Sequence, residues 1–278
     1  MAGTLYIVAT PLGNLEDMTY RAVRILAEVD LIAAEDTRHS LKLLNHFNIS
    51  KSLTSYFDHN QQFKGERILD ALRQGKSVAL ISDAGTPCIS DPGYNLVRDA
   101  VGEGITVVPI PGACAAVAAL SGSGLPSDTF TFAGFPPSRQ GKRRAFLGDM
   151  SRLPGTLVLY EAPHRLEETL VDIRAVLGER QVVVAREISK IYEEFVRGTV
   201  SEVIAAMAGG KARGEIVILI APAGEKTEAV ESLESVLRRL IDDEGLTVKD
   251  AARKAAVITG VSRSAAYDEA LKLRNGAE

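Results

Sequence analysis

The stretch SDAGTPCISDPG, residues 82–93, follows directly on the run SVALI at 77–81. It holds two glycines, two prolines and two aspartates, and almost nothing that fills a core. A short apolar run bounded by such residues reads as a buried strand discharging into a stiff polar loop. In a parallel sheet, ligands collect beyond the carboxyl ends of the strands, and this loop leaves such an end. Glycine lets backbone approach a ligand closely, and proline fixes the loop beforehand, so less entropy is lost on binding. The alternative is a long ordered turn that caps a helix over 94–102, with Asp91 as its N-cap.

Outward from this loop, short apolar runs alternate with helical patterns. Strands are expected at 5–9, Leu31–Ala34, 77–82, Thr106–Ile110 and 129–133, with amphipathic helices at Tyr20–Glu28 and 66–73. Such alternation gives βαβ units and a mostly parallel sheet with helices on both faces. The segment FPPSRQGKRR, 135–144, interrupts the rhythm with two prolines, a glycine and four cations, and reads as a domain boundary. A second set follows, with strands at 156–160, Gln181–Arg186, 194–200 and 215–221 and helices at 165–176 and 201–207. In the tail, Val230, Leu233, Val236, Leu237, Leu240 and Ile241 share one face of a helix over 227–244 that Gly245 closes. Thr247 to Asp250 resembles a capping box, Gly260 breaks that second helix, and Ser262 caps a third. Helix, turn, helix is the outline of a helix-turn-helix. The expected organisation is α/β throughout: an N-terminal domain over 1–135, a second over 136–224, and a helical extension over 225–278.

Three other strand ends behave like the one at 82–93. The first runs into Thr10-Pro-Leu-Gly-Asn14, the second delivers Glu35-Asp-Thr-Arg38, and the strand ending at Ile110 runs into Pro111-Gly-Ala-Cys-Ala115. Four junctions of this kind point to a site rather than to turn chemistry. It is not a dinucleotide fingerprint, because TPLGN supplies no GxGxxG. Nor is it a Walker A, whose first glycine would fall at Asp70 if Gly75-Lys76-Ser77 closed it. His39, His46, His59 and His164 show no ligand spacing, so no metal is expected.

The net charge of −4 excludes gripping nucleic acid by bulk charge alone and leaves that work to local patches. The tail is one, with six cations against three anions from Lys249 to Arg274. No run approaches the ~18 apolar residues of a membrane span, so no membrane partner is expected. MAGTLYIVAT reads as a first strand rather than an export signal. Cys88 and Cys114, without CxxC spacing, suit a reducing cytoplasm.

Six ordered motifs carry a resemblance: TPLGNLEDMTYRA (10–22), AEDTR (34–38), ISDAGTPCISDPG (81–93), PGACAAVAAL (111–120), YEAPHR (160–165) and GEIVILIAP (214–222). Together they resemble the tetrapyrrole methylase superfamily of S-adenosyl-L-methionine-dependent methyltransferases, and in wording its ribosomal RNA branch. The resemblance spans 4–222, and the tail is similar to that branch's helix-turn-helix extension. It implies two α/β domains with S-adenosyl-L-methionine in the cleft between them, and a homodimer. It also implies 2′-O-methylation of a cytidine ribose in the decoding region of 16S rRNA, in free rRNA or the small ribosomal subunit.

The cofactor contacts implied are Pro11, Gly13, Asp83, Gly85, Thr86, Ile89, the Pro111, Gly112, Ala113, Cys114 and Ala115 loop, and Tyr160, Arg186 and the 213–215 region with Gly214. Where tetrapyrrole enzymes carry Gly-Asp-Pro, this chain has Gly85-Thr86-Pro87, so that contact falls on a neutral threonine, with Asp83 taking part of the role. A ribose hydroxyl needs a base, and the carboxylates at strand ends are Glu35, Asp36, Glu161 and Glu187. Each has the alternative of a helix cap or an ion pair with a nearby arginine. Arg38, Arg165, Arg186 and Lys190 suit phosphates, as do Arg139, Lys142, Arg143 and Arg144 of the boundary segment and Arg263 of the tail. His164 reads as a local hydrogen-bonding residue, and Tyr56, Phe57 and Tyr267 are the aromatics open to base stacking. Two other readings remain: a methyltransferase of the same fold acting on a tetrapyrrole or other small acceptor, and a non-catalytic cofactor-sensing or RNA-binding module.

Overall fold

β4 (Val78–Ile81) is buried along its whole length, which is why it reads as an unbroken apolar run and not as an alternating one. In the computed structural model, which describes residues 2–57, 61–209, 214–223, 233–259 and 261–275, it is the middle strand of a wholly parallel five-stranded sheet. β1 (Thr4–Val8) and β2 (Leu31–Ala34) flank it, with β5 (Thr106–Ile110) outside β1 and β3 (Leu53–Ser55) outside β2. Tyr6 faces Ala79 on one side and Val108 on the other, and Ile32 also pairs with Ala79. α1 (Tyr20–Glu28) and α2 (Thr37–His46) bury Ile25 and Leu44 against Val8 and Ile32 on one face. α3 (Gln61–Arg73) and α4 (Tyr94–Gly102) bury Ile68 and Leu96 against Leu5 and Leu80 on the other. The chain crosses from β1 to β2 in one direction along the sheet and from β4 to β5 in the other. The crossovers therefore part between β1 and β4, the switch point where ligands of such sheets collect.

The second sheet has the order β6 (Phe130–Phe132), β7 (Thr156–Glu161), β10 (Ile216–Ile220), β8 (Gln181–Arg186), β9 (Glu194–Thr199). Only β6 and β7 are parallel; the other three pairings are antiparallel. Residues 187–193 join β8 to β9 with too little chain for a crossover helix, which forces that pair antiparallel. α6 (Gln140–Met150), α7 (Leu166–Leu177) and α8 (Val200–Met207) cover one face over Leu159 and Ile218. α5 (Ala115–Ser123) covers the other, with Ala119 and Leu120 on Val183 and Val217. α5 leaves the first sheet at β5 yet packs on the second, so it ties the two sheets into one compact unit, Met1–Pro222.

Three sequence expectations change here. β6, upstream of FPPSRQGKRR, is already bonded into the second sheet, and that segment enters α6 instead of forming an exposed joint. Arg143 within it is buried at 1% exposure, held by Asp172 at 2.7 Å, so it is a core ion-pair partner and not a phosphate ligand. Asp91 does not cap α4; the cap is Gly93, without a side-chain bond.

The second unit, Ala223–Glu278, comprises α9 (Leu233–Arg238) running into a π-helical turn at Arg239–Asp243, then α10 (Val248–Thr259) and α11 (Arg263–Asn275). Ala252, Ala255, Ala266 and Ala270 pack with Leu237 and Leu240; the small residues let the helices approach closely. The Thr247 hydroxyl accepts from the Asp250 amide at 3.3 Å and donates to the Asp250 carboxylate at 2.8 Å. The Ser262 hydroxyl accepts from the Ala265 amide at 3.2 Å, so Ser262 caps the third helix as read, and at Thr247 the side-chain-to-amide half of the capping box forms. Val230 and Gly260, two further parts of that reading, lie outside the described residues. Among the described residues, no helix is long and apolar enough to cross a membrane.

Candidate functional site

The loops leaving β1, β4 and β5 are knitted into one platform. Thr10 and Gly85 exchange both backbone hydrogen bonds, at 2.8 and 2.9 Å, and the Thr10 hydroxyl donates to the Ser82 carbonyl at 3.0 Å. The Thr86 hydroxyl donates to the Ala113 carbonyl at 2.9 Å, so this threonine latches the β4 loop to the β5 loop. Within 82–93 the strain is concentrated: Cys88 and Ser90 sit at φ 73° and 63°, a conformation that costs a non-glycine residue of order ~1–3 kcal/mol. Gly93, at φ 147°, closes the loop where a Cβ would lie 2.5 Å from the Cys88 sulfur. Such a loop is fixed before any ligand arrives.

A cavity of about 310 Å³ lies against this platform. Its floor comes from Leu12, Ala84, Gly85 and Thr86, and the start of α5 adds Cys114 and Ala115. The second sheet supplies Tyr160 and Val217, and Phe135 stands at the edge. Tyr160 packs edge-on against Phe132 and Phe135, with centroids at 4.8 and 5.6 Å, and its phenol oxygen accepts the Ala116 amide at 3.2 Å. Burial pushes that phenol up to about 12, with the neighbouring Cys114 adding to it, so it stays neutral and acts as a wall and acceptor. Gly214, at φ 76°, passes so close that a Cβ would meet the Glu187 carboxylate at 1.7 Å. Among the described residues the lining carries the carboxylates of Asp91, Glu161 and Glu215 and no cation.

A second cavity, of about 270 Å³, opens beside the same loops and is lined by Pro11, Gly13, Leu15, His39, Lys42, Leu43 and Asp83. Of the cofactor contacts expected from the sequence, Gly85, Thr86, Ile89, Cys114, Ala115, Tyr160 and Gly214 line the first cavity. Pro11, Gly13 and Asp83 line the second instead. Gly112 packs on Ala9, Ala113 receives the Thr86 latch, and Pro111 precedes them on the loop, none of the three lining either cavity. Arg186 is paired with Glu194. Arg213 lies outside the described residues.

Three of the four candidate bases are committed elsewhere. Asp36 caps α2 and pairs with Arg38 at 3.0 Å; hydrogen bonds from Arg38 hold its carboxyl down at about 2. Glu161 is buried, accepting from the Thr169 hydroxyl at 2.5 Å and the Ala162 amide at 2.8 Å, and it pairs with Arg165. Glu187, at φ 52°, receives the Lys190 ammonium at 2.9 Å. Glu35 is half-buried beside Asp36. Arg165 and Lys190 are correspondingly occupied, Arg165 also donating to the Pro136 carbonyl at 2.6 Å. Arg38, Arg139, Lys142, Arg144 and Arg263 are exposed, and Arg144 reaches Asp172 at 2.7 Å. Tyr56 is buried and unsuited to stacking, whereas Phe57 and Tyr267 are exposed. No group of three or more His, Cys, Asp or Glu residues disposed for a metal ion occurs among the described residues.

The 213–215 region expected at the cofactor contributes Glu215 as well as Gly214, whereas the sequence reading missed Phe135 and Asp91 in the first cavity and His39, Lys42 and Leu43 in the second. The last three recur at i, i+3 and i+4 on α2, a signal hidden because 37–46 was not read as a helix.

A family model described as Tetrapyrrole (Corrin/Porphyrin) Methylases matches residues 4–204, and one described as RsmI C-terminal HTH domain matches 227–274. The chain is 49% identical to a ribosomal RNA small subunit methyltransferase I from Pseudomonas aeruginosa, over 98% of each chain. A protein of the same name from Halalkalibacterium halodurans is 47% identical, over 96% of this chain and 94% of its own. Among solved structures, a cobalt precorrin-4 methyltransferase of cobalamin biosynthesis superposes with a TM-score of 0.58 at 20% identity, over 78% of this chain and 94% of its own. A uroporphyrin-III C-methyltransferase from Thermus thermophilus, complexed with S-adenosylhomocysteine, gives 0.55 at 20% identity, over 80% and 98%. At that identity the likeness is one of fold.

Proposed function

From the premise that this chain belongs to the tetrapyrrole methylase family, we propose that it methylates small-subunit ribosomal RNA, taking the methyl group from S-adenosyl-L-methionine. The chain is a methyltransferase of that family. What supports the RNA substrate is near-complete coverage of relatives bearing that name, including the C-terminal unit that a small-molecule acceptor gives no task. What supports the cofactor is the lining of the first cavity: small residues for a close fit, two aromatic rings, and no cation among the described lining residues. Two finer assignments rest on the resemblance, a cytidine 2′-hydroxyl as acceptor and a homodimer; the cytoplasm rests on the cysteine usage.

When bound, S-adenosyl-L-methionine supplies a methyl carbon made electrophilic by a sulfonium. The chain's own residues do the rest. Gly85, Cys114 and Ala115 bring backbone to the ligand, while Tyr160 and Phe135 exclude water from it. The Thr86 latch and the Thr10–Gly85 pair keep the platform from moving as the acceptor arrives. Alignment of this kind accounts for up to ~7–11 kcal/mol of barrier. The carrying observation is the stiff three-loop platform facing a cavity of this composition. The test is transfer of labelled methyl groups to small ribosomal subunits, free 16S rRNA and uroporphyrinogen. Label recovered from the RNA as 2′-O-methylcytidine is the expected result; label in uroporphyrinogen alone overturns the reading.

A further inference from the structure

The Thr10–Gly85 pair joins two loops that contribute to both cavities. Leu12, Ala84 and Gly85 line the first, whereas their chain neighbours Pro11, Gly13 and Asp83 line the second. The two linings differ in charge. Among the described residues, the first carries no cation, and Lys42 and His39 join the single carboxylate of Asp83 in the second. The second suits a phosphodiester beside a hydroxyl.

Helix α2 is tied to the β4 loop. Asp36 caps it through the Arg38 amide at 2.8 Å, and the Asp36 amide donates to Asp83 Oδ1 at 3.1 Å. His39, Lys42 and Leu43 thereby face the loops that carry Pro11, Gly13 and Asp83. Gly13 is itself pressed by the Lys190 stem, where a Cβ would meet the chain at 2.5 Å. Among the described residues, neither the Lys42 nor the His39 side chain is in an ion pair or hydrogen bond, and Asp83 accepts only from Asp36. The cations are available to a ligand, and Asp83 is held in place by one oxygen.

We propose that this second cavity is the acceptor-nucleotide subsite, in which Lys42 and His39 hold a phosphate flanking the target ribose and Asp83 receives the hydrogen bond of its hydroxyl. The inference rests on the RNA methyltransferase reading and gives it a base and a phosphate clamp. Asp83 takes the hydroxyl proton as the oxygen–methyl bond forms. The methyl–sulfur bond breaks, sulfur keeps the bonding pair and becomes a neutral thioether, and Asp83 returns the proton to water. Asp83 is the catalytic residue here; Lys42 and His39 bind.

The test uses the full chain, small ribosomal subunits and labelled methyl donor, with three readouts: donor affinity by calorimetry, turnover, and subunit affinity measured with S-adenosylhomocysteine present. Asp83→Asn keeps an oxygen for the Asp36 amide, so the fold is retained, and kcat falls by ~10²–10⁴-fold with donor affinity unchanged. His39→Ala with Lys42→Ala weakens subunit affinity and raises the subunit KM, and the salt slope of log Kd falls by ~0.7 for each phosphate no longer held. Wild-type protein that transfers methyl to no RNA sinks the underlying reading. Wild-type activity on RNA with unaltered variants, or variants that lose donor affinity in proportion to turnover, overturns this inference and leaves that reading standing.

Discussion

Replacing Arg143 with methionine asks what a cation is worth where the sequence places an RNA contact and the fold places a core. The Arg143 side chain is 1% exposed and reaches Asp172, 0% exposed, at 2.7 Å, with the Ser138 carbonyl at 3.1 Å and Glu168 at 3.4 Å. Burial pushes Asp172 up, but hydrogen bonds from Arg144 and Arg143 outweigh it and hold the carboxyl below the usual range. Arg143→Met leaves that carboxylate in the core with Arg144 and a Gln140 contact at 3.3 Å. Removing one member of a buried pair costs ~3–5 kcal/mol, against a net stability of ~5–15 kcal/mol for a whole domain. For a unit of this size that is a fall in Tm on the order of 10 °C. Urea denaturation and thermal melting of the full chain read it directly. Adding Asp172→Leu removes the stranded charge and restores most of the loss. Because the folded carboxyl is held low, its contribution is present above the unfolded value of ~3.9 and disappears as pH falls through the folded one. A loss below about 1 kcal/mol, or intact stability with weakened RNA affinity, refutes the assignment of Arg143 to the core.

Three further outcomes follow from the geometry. Gly214→Ala drives a Cβ into the Glu187 carboxylate and strains a φ of 76°, so donor affinity measured by calorimetry falls at least tenfold while the melting of the second unit is unchanged. The pH–rate profile shows no ionisation of Tyr160 below pH 10, because the phenol is pushed up to about 12. Tyr160→Phe therefore keeps the wild-type profile shape while losing the acceptor of the Ala116 amide, and a vanished basic limb contradicts this. Deleting 227–278 weakens binding of small ribosomal subunits and leaves donor affinity within about twofold, since that unit has its own core; equal loss of both counts against it as an RNA module.

The central strands β1, β2 and β4 of the first sheet were legible because they are largely buried and read as continuous apolar runs between turn residues, whereas the three half-buried residues of edge strand β3 were not read as a strand. β2 and β5 begin and end where the sequence placed them. Helix α2 was hidden by the charged tetrad at its start, which looks like a loop until Asp36 is seen capping it. The antiparallel second sheet was illegible for a different reason. Strand order depends on pairings far apart in sequence, and β10 inserts between β7 and β8. Of the site, the glycine and proline loops announced themselves. The division of their residues between two cavities did not, since Pro11 and Leu12 are neighbours in sequence and line different cavities. Arg143 shows the limit most plainly: its neighbours Lys142 and Arg144 are exposed, and only the register of α6 turns it inward.

The most direct measurement is a crystal structure of the full chain with S-adenosylhomocysteine. The account predicts ligand density against residues 84–86 and 114–115, under the ring of Tyr160, with the Thr86–Ala113 latch closed. Density on the Lys42 side of the Thr10–Gly85 pair, or none at either place with saturating ligand, contradicts it.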